Sequence, residues 1–322
     1  MELYLQEPRA ADAHKLAPYY TMRPNKTCDS GLLDTFIWKD YYQIRYAIVE
    51  EKALLLLMQN EAEYFTALPY CAQEDLPRYL DVLKTYFNTE LKAPLKVYLA
   101  DEEGVEALKL KENPNYLVRE EPDFKDYLYL GEDLRTLAGK KLHQKRNQVN
   151  RFKRDYEGRW EYKTLTCADR KLVLEFMDRW FAQREELTSD ESLQYEQNGI
   201  QEIIHECCSL SYKMGGILVD NRLEAMAIGT LNELEDMAVV SVEKGNPDIP
   251  GIYQVINQEF LLHEFPDVKL VNREDDVGIP GLRQAKMSYQ PIAFERKYMV
   301  LQKDFAGFEE ARADYYEAGV QE

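Results

Sequence analysis

The order of predicted elements from residue 157 onward is the feature that most restricts the fold. Short apolar and β-branched runs bounded by turn residues predict strands, and apolar residues three or four positions apart predict helices. The order is one strand, two helices, three strands, one helix, one strand, one helix and two strands. The predicted strands cover 160–165, 213–219, 223–231, 237–242 and 268–272 and lie around Ile292 and Val300, and the predicted helices cover 169–184, 200–208, 252–263 and 280–287.

The first half contains a less regular version of the same order. Its predicted strands cover 42–49, 53–58, 64–68, 95–100, 116–119 and 126–130, and its predicted helices cover 76–87 and 105–110. A chain of 322 residues is long enough for two domains of common size. We therefore predict a mixed α+β protein with two related domains, 1–136 and 157–322, joined by 137–156. Each domain has a mixed central sheet flanked by helices. The final stretch, 309–322, is acidic and compatible with a helix.

The joining segment, residues 137–156, carries seven basic side chains and no acid between Lys140 and Arg154. Its apolar residues share one stripe at 100° per residue, opposite Lys140, Arg151 and Arg154. That stripe comprises Ala138, Leu142, Val149, Phe152 and Tyr156. The pattern predicts an amphipathic helix with a basic back. Three roles stay open for this helix: contact with tRNA phosphates, contact of Lys140 and Lys141 with coenzyme A phosphates, or a solvated strut.

The overall charge restricts the partners. Forty basic and 58 acidic side chains give −18, which argues against a general nucleic-acid binder and against attachment to an anionic membrane by charge. Without the seven basic side chains of the joining segment, 33 basic and 58 acidic side chains leave −25. This acidity disfavours the approach of a tRNA and favours a small phosphate-bearing donor.

The N-terminal sequence, the apolar runs and the cysteine spacing predict where the protein is located and whether it binds a metal. The N-terminus lacks a signal-peptide pattern, and the densest apolar run, 53–58, is too short to span a membrane, so we expect a cytoplasmic protein. The five scattered cysteines are typical of reduced core thiols. Cys207 and Cys208 are adjacent, but no second ligand pair lies nearby in sequence, so we expect no metal site.

Three segments carry a family resemblance. They are residues 30–38 (SGLLDTFIW), 131–152 (GEDLRTLAGKKLHQKRNQVNRF) and 272–291 (NREDDVGIPGLRQAKMSYQP). Together they resemble an uncharacterised bacterial family grouped with the C-terminal domain of phosphatidylglycerol lysyltransferase, over nearly the whole chain. The resemblance implies two tandem GNAT-like domains, as in the Fem-type peptidyltransferases. It also implies transfer of an acyl or aminoacyl group.

The chain departs from these relatives in two ways. It lacks the multispan membrane region of the lipid lysyltransferases. It also lacks a Gln/Arg-x-x-Gly-x-Gly/Ala pyrophosphate loop, because the equivalent stretch, 243–251, reads EKGNPDIPG. The resemblance therefore leaves the donor open between coenzyme A and aminoacyl-tRNA.

The stretch that begins at Asn272 is the main candidate site. It follows a strand, and ligand crevices of open α/β sheets lie beyond the carboxyl ends of strands. Arg283 and Lys286 share a helix face and can bind a carboxylate or phosphate. The candidate binding residues here are Asn272, Arg273, Glu274, Arg283 and Lys286. The alternative is that the acids only pair with these bases and hold a loop in place.

Acyl transfer to an amine needs a base, an acid and a donor that stabilises the oxyanion. Glu243 and Asp276 are the candidate bases, and Tyr289 is the candidate acid. Backbone N–H groups from Asn246 to Gly251, where the chain enters a helix, are candidate carbonyl or pyrophosphate binders. We expect a coenzyme A thioester as donor and an amine or hydroxyl as acceptor. Aminoacyl-tRNA-dependent transfer to a lipid or peptide and a non-catalytic metabolite binder are the alternatives.

Overall fold

Helices and strands alternate along almost the whole chain. The computed structural model describes residues 3–60, 63–185, 191–306 and 308. Within those residues the helices are α1 Ala13–Tyr20, α2 Leu32–Trp38, α3 Leu76–Tyr86, α4 Glu102–Ala107, α5 Gly131–Thr136, α6 His143–Asp155, α7 Arg170–Glu185, α8 Glu191–His205, α9 Ile252–Glu264 and α10 Pro280–Met287. The strands are β1 Arg45–Val49, β2 Ala53–Asn60, β3 Glu63–Phe65, β4 Tyr70–Cys71, β5 Lys96–Asp101, β6 Tyr116–Glu120, β7 Asp126–Leu130, β8 Trp160–Leu165, β9 Lys213–Val219, β10 Arg222–Asn232, β11 Met237–Gly245, β12 Leu270–Asn272, β13 Ala293–Glu295 and β14 Lys297–Gln302. The predicted helix over 309–322 lies outside the described residues.

A seven-stranded sheet in the order β13-β7-β12-β11-β10-β9-β8 forms the centre of the second half. Its strands pair antiparallel except for β11 and β12, which pair parallel. Buried residues of α9 pack with one set of strand side chains, and α7 and α8 contribute to the core on the other side. The element order predicted from residue 157 to β13 is therefore confirmed.

Two strands are exchanged between the halves of the chain. β7 belongs to the first half in sequence but lies between β12 and β13 in the seven-stranded sheet. Conversely, β14 comes last in sequence but lies between β5 and β6 in a three-stranded sheet of the first half. Each of these strands pairs with strands from the other side of the predicted boundary between residues 1–136 and 157–322. The division into two domains therefore stays a prediction.

The sheet of the second half opens along β11 and β12. The two strands pair only from Met237 to Val239 and from Leu270 to Asn272, whereas β11 continues to Gly245. The register of β11 against β10 shifts at Ser241, which is the extra residue of a bulge. Beyond these three residue pairs, the side chains that follow β12 meet the second half of β11 across a gap in the hydrogen-bonded sheet.

The basic segment forms a shorter helix than predicted. The prediction of one helix over 137–156 is wrong at its start, because Leu137 and Gly139 adopt left-handed backbone angles and α6 begins at His143. Leu142, Val149 and Phe152 of the predicted stripe are buried, whereas Ala138 is exposed. α6 packs on α9 through this stripe. Its outer face carries Arg151 and Arg154, which are exposed as predicted.

No helix within the described residues is long and apolar enough to cross a membrane.

Candidate functional site

The residues directly after β12 enter two polar clusters on either side of the gap. Arg273 pairs with Glu243 of β11, and these two residues with Lys145, Asn257 and Tyr289 make up what we call the Glu243 cluster. Glu274 and Asp275 lie among carboxylates from the first half of the chain. We call Asp29, Asp34, Asp126, Glu274, Asp275 and Lys297 the acidic cluster.

The Glu243 cluster combines a charge-assisted pair with spare hydrogen-bonding capacity. Glu243 accepts hydrogen bonds from Arg273 Nη2 and Asn257 Nδ2, both at 2.9 Å. Among the described residues, Arg273 Nη1 and Asn257 Oδ1 are buried without a hydrogen-bond partner. One is a donor and the other an acceptor, and unpaired buried polar atoms are rare in folded proteins. The cluster can therefore bind one more polar group.

Tyr289 is packed between cations in this cluster. Its ring centroid lies 4.7 Å from the Arg273 guanidinium carbon and 4.4 Å from Lys145 Nζ of α6. Burial raises the pKa of Tyr289 above its ordinary value although Arg273 opposes the rise, so the phenol stays protonated at neutral pH. Burial and repulsion by Arg273 lower the pKa of Lys145. Tyr289 is thus placed as a hydrogen-bond donor rather than a ready proton donor.

The acidic cluster is built around a lysine with no exposed side-chain surface. Lys297 Nζ lies 2.9 Å from carboxylate oxygens of Asp29 and Asp126 and 3.7 Å from Asp275. It also lies 3.1 Å from Cys28 Sγ. Burying this ammonium is tolerable because several carboxylates surround it. Cys28, Asp126 and Asp275 are spaced closely enough to suit a cation, but the lysine ammonium already occupies that role.

Three carboxyls in this cluster hold their protons unusually well. Burial and the neighbouring Asp29 raise the pKa of Asp34 to about 8. Burial raises the pKa of Asp275 to about 6 although Lys297 opposes the shift. Burial and Asp34 raise the pKa of Glu274 well above its ordinary value. Perturbed carboxyls of this kind concentrate at functional sites because they can exchange protons near neutral pH.

An aromatic cavity of about 90 Å³ borders the acidic cluster. Asp29 and Asp34 form its polar wall, and its apolar wall includes Trp38, Tyr42, Tyr70 and Tyr98. Within the described residues neither carboxylate oxygen of Asp34 has a hydrogen-bond partner. Ser241 of the β11 bulge lies near enough to lower the Asp34 pKa without reaching hydrogen-bond geometry. Aromatic faces beside carboxylates form a surface that suits an organic ammonium group.

The predicted base Asp276 lies outside both clusters, in a fully buried loop anchor. Its carboxylate accepts hydrogen bonds from Arg283 Nε at 3.0 Å, Arg283 Nη2 at 2.7 Å, the Gly278 N–H at 3.0 Å and the Tyr127 hydroxyl. Burial would raise the pKa of Asp276, but the bonds from Arg283 and Tyr127 outweigh it and hold the pKa below its ordinary value. Arg283 also pairs with Asp123 at 2.6 Å. These contacts match the alternative in which acids and bases fix a loop.

Asn272 and Lys286 hold the backbone of the same loop. Asn272 donates to the Lys26 carbonyl at 2.7 Å and to Asp126 at 3.0 Å. Lys286 Nζ donates to the carbonyl oxygens of Arg273, at 2.6 Å, and of Asp275. Both side chains orient members of the two clusters, so the structure places them behind the site rather than at an open surface.

The predicted phosphate-binding turn is closed by its own contacts. Three N–H groups of the turn already donate hydrogen bonds within the protein. The Asn246 N–H donates to the Glu224 carbonyl, and the N–H groups of Asp248 and Ile249 donate to the side-chain and backbone oxygens of Asn246. Gly251 directly precedes α9 and has a φ of +88°, and a Cβ there would lie 2.9 Å from the Gln148 carbonyl of α6. α6 therefore covers the entrance to α9. Lys140 and Lys141 are exposed in the turn before α6.

Sequence reasoning found the Glu243 cluster in part and missed the cavity wall. Glu243, Arg273 and Tyr289 were predicted and lie together. Asp29, Asp34, Asp126 and Lys297 were not singled out, because no local spacing links residues from α2, β7 and β14. The available signal was Asp34 within the segment 30–38, which carried part of the family resemblance.

The comparisons with known proteins agree with the resemblance. The profile of the family described as phosphatidylglycerol lysyltransferase, C-terminal, matches residues 22–301. An uncharacterised protein of Mycoplasmoides gallisepticum is 23% identical over 223 residues, which are 69% of this chain and 70% of that protein. A Bacteroides thetaiotaomicron protein of unknown function superposes with a TM-score of 0.86 and 25% identity, covering 94% of this chain and 100% of that one.

One further solved structure shares this fold. The C-terminal domain of a putative lysylphosphatidylglycerol synthetase from Agrobacterium fabrum superposes with a TM-score of 0.68 and 15% identity, covering 97% of this chain and 96% of that one. The predicted mixed α+β, GNAT-like fold is confirmed. The chain belongs to the family of the phosphatidylglycerol lysyltransferase C-terminal domain.

Proposed function

We propose that the protein is an aminoacyltransferase that binds a cationic amino group of its substrate in the aromatic cavity beside Asp29 and Asp34. The observation that carries this proposal is the pairing of two carboxylates with five aromatic rings around one cavity. An ordinary acyl group offers such a cavity no charge, whereas an aminoacyl group always carries an amine. The Agrobacterium fabrum relative is named a putative lysylphosphatidylglycerol synthetase, and this name is consistent with a lysyl group in this role.

The charge around the cavity supports a bound cation. Four carboxyl groups of the acidic cluster interact with one fully buried lysine, Lys297, and the fifth, that of Glu274, interacts with Lys286. Protonation of Asp34 and Glu274 relieves part of the excess negative charge in the free protein. A substrate ammonium would relieve it instead, and its binding would release protons from these carboxyls.

The two clusters supply the groups that acyl transfer requires. We assign the base to Asp275, because its pKa of about 6 lets it exist as a carboxylate that can accept a proton near neutral pH. Arg273 Nη1 is a buried donor without a partner, and we assign it to the developing oxyanion. Glu243 holds the Arg273 guanidinium in place. Asp276 then acts as a positioning residue for the loop.

The donor is proposed to be an aminoacyl ester rather than a coenzyme A thioester. A coenzyme A pyrophosphate needs free N–H groups at the turn into α9, and three of the turn's N–H groups are already bonded. α6 also covers that turn. Coenzyme A, predicted from the charge of the chain, stays the second candidate because Lys140 and Lys141 are exposed cations next to α6.

Thermal unfolding with defined probes tests this proposal. Lysinamide should raise the melting temperature, because a ligand at one hundred times its Kd stabilises by about 2.7 kcal/mol. Hexanamide lacks both amines and should give no shift. Asp34→Asn should abolish the lysinamide shift, whereas Asp267→Asn, at an exposed position between α9 and β12, should retain it.

The other outcomes are equally informative. A shift with coenzyme A or acetyl-coenzyme A and none with lysinamide would replace the aminoacyl proposal with the thioester one. Binding of lysinamide without any transfer from lysyl esters to hydroxyl or amine acceptors would favour the non-catalytic binder.

A further inference from the structure

Three cysteines that are far apart in sequence meet at the ends of α7 and α8. Cys167 lies in the turn before α7, and Cys207 and Cys208 lie in the turn after α8. Cys167 and Cys207 form a disulfide, and Cys208 is an exposed free thiol. Cys208 Sγ lies 3.0 Å from Cys167 Sγ. No further thiol ligand lies near Cys207 and Cys208 in sequence, but the fold brings Cys167 beside them.

The three sulfur atoms form a triangle rather than a line. Each Sγ lies within 4.8 Å of the other two. Thiolates bound at about 2.3 Å around a tetrahedral Zn²⁺ are roughly 3.8 Å apart, so a triangle of this size suits a shared metal ion. Soft thiolate ligands select ions such as Zn²⁺ and Cu⁺ over hard cations.

Arg170 supplies the charge that such a centre needs. Three thiolates and one divalent ion carry a net charge of −1. Arg170 Nη2 lies 3.7 Å from Cys207 Sγ. Its Nε is buried and has no hydrogen-bond partner within the described residues. A guanidinium with a spare donor beside the sulfurs can neutralise this charge.

We propose that Cys167, Cys207 and Cys208 form a three-thiolate site for a soft divalent metal ion, and that the Cys167–Cys207 disulfide is the oxidised, metal-free form of the same site. A dithiol reductant converts the disulfide to two thiols and is itself oxidised to a disulfide. Three thiols then bind one metal ion and release three protons. The fourth ligand position faces solvent, because Cys208 is exposed, and takes water.

Zinc titration of the full chain tests the site in both redox states. After reduction with a dithiol and removal of the reductant, the protein should bind one Zn²⁺ in competition with a coloured chelator. The oxidised protein should bind none at this site. Cys208→Ser should weaken binding by more than the roughly 10–100-fold that loss of a supporting contact costs. Cys71→Ala removes a buried cysteine of the first half and should leave Zn²⁺ affinity unchanged.

A second probe reports the ligands directly. Cd²⁺ added to the reduced protein should give thiolate-to-metal absorption in the ultraviolet, and this absorption should fall in Cys167→Ser and Cys208→Ser. Circular dichroism checks that each variant is folded. Equal Zn²⁺ affinity in Cys208→Ser and the unmodified chain, or in the oxidised and reduced chain, would overturn the proposal. So would a folded, reduced chain that binds no Zn²⁺.

Discussion

At the scale of single residues, Asp34 shows how burial and function are linked. Its carboxyl lies on the wall of the aromatic cavity, has no hydrogen-bond partner among the described residues and faces Asp29. A carboxylate in such a place is costly, so the folded protein keeps the proton up to a pKa of about 8. Ionisation of this carboxyl becomes favourable only when a cation binds beside it.

We expect Asp34→Asn to stabilise the protein in a pH-dependent way. An unfolded chain releases this proton near pH 4, so between about pH 4 and 8 the folded state binds more protons and stability falls as pH rises. The asparagine variant escapes that loss. Its unfolding free energy relative to the parent should increase by on the order of 4 kcal/mol from pH 5 to pH 8.5. Denaturant melts at both pH values measure it, and a difference that does not change with pH would contradict the assignment.

Site residues at the ends of predicted strands could be predicted from the sequence, whereas contacts between residues of distant elements could not. Arg273 and Glu243 follow or end predicted strands, so their position at the sheet opening could be predicted from the sequence. Asp34 and Lys297 lie on α2 and β14, and only the folded chain brings both to the acidic cluster. Asp276 was predicted as a base because a charge pattern does not reveal which of three neighbouring acids is buried and paired with Arg283.

At the scale of elements, the packing of α6 on α9 depends on one glycine. The start of α6 was predicted too early because the apolar stripe continues back to Ala138, and a sequence pattern does not reveal the positive φ angles of its neighbours Leu137 and Gly139. Gly251 also has a positive φ, and it additionally lies against the backbone of α6. The element order was easier to predict, because alternation and helical spacing are local properties.

We expect Gly251→Ala to destabilise the protein more than Gly139→Ala. Both glycines have positive φ angles, which cost an alanine about 1–2 kcal/mol. Only at position 251 would the new Cβ meet a carbonyl, that of Gln148, at 2.9 Å. The extra contact should add on the order of 1 kcal/mol, as overpacking does. Chemical denaturation of both variants gives the comparison, and equal losses would show that α6 moves away without cost.

At the scale of the whole molecule, the exchanged strands make each half dependent on the other. β14 pairs with β5 and β6, and β7 pairs with β12 and β13. Each exchanged strand is an inner strand whose absence would expose two unpaired edges.

A chain cut between residues 156 and 157 should therefore not yield two folded pieces. The first piece lacks β14 and the second lacks β7. Tyr129 of β7 and Val300 of β14 are buried in the full chain, and in the separated pieces each would lose the strands beside it. We expect each piece alone to aggregate or to lack a cooperative melt, and the co-expressed pieces to associate into one complex. Size-exclusion chromatography and thermal melts distinguish these cases, and a cooperative melt of 157–322 alone would contradict the expectation.

The late position of β14 in the sequence also delays completion of the first sheet during synthesis on the ribosome. β14 begins about 200 residues after β5, so the first sheet stays incomplete until almost the whole chain has been synthesised. At roughly 5–20 residues per second, β5 and β6 wait on the order of 10–40 s for the strand that separates them. During that interval the nascent chain carries two open edges, which makes it a natural client for chaperones that bind at the exit tunnel.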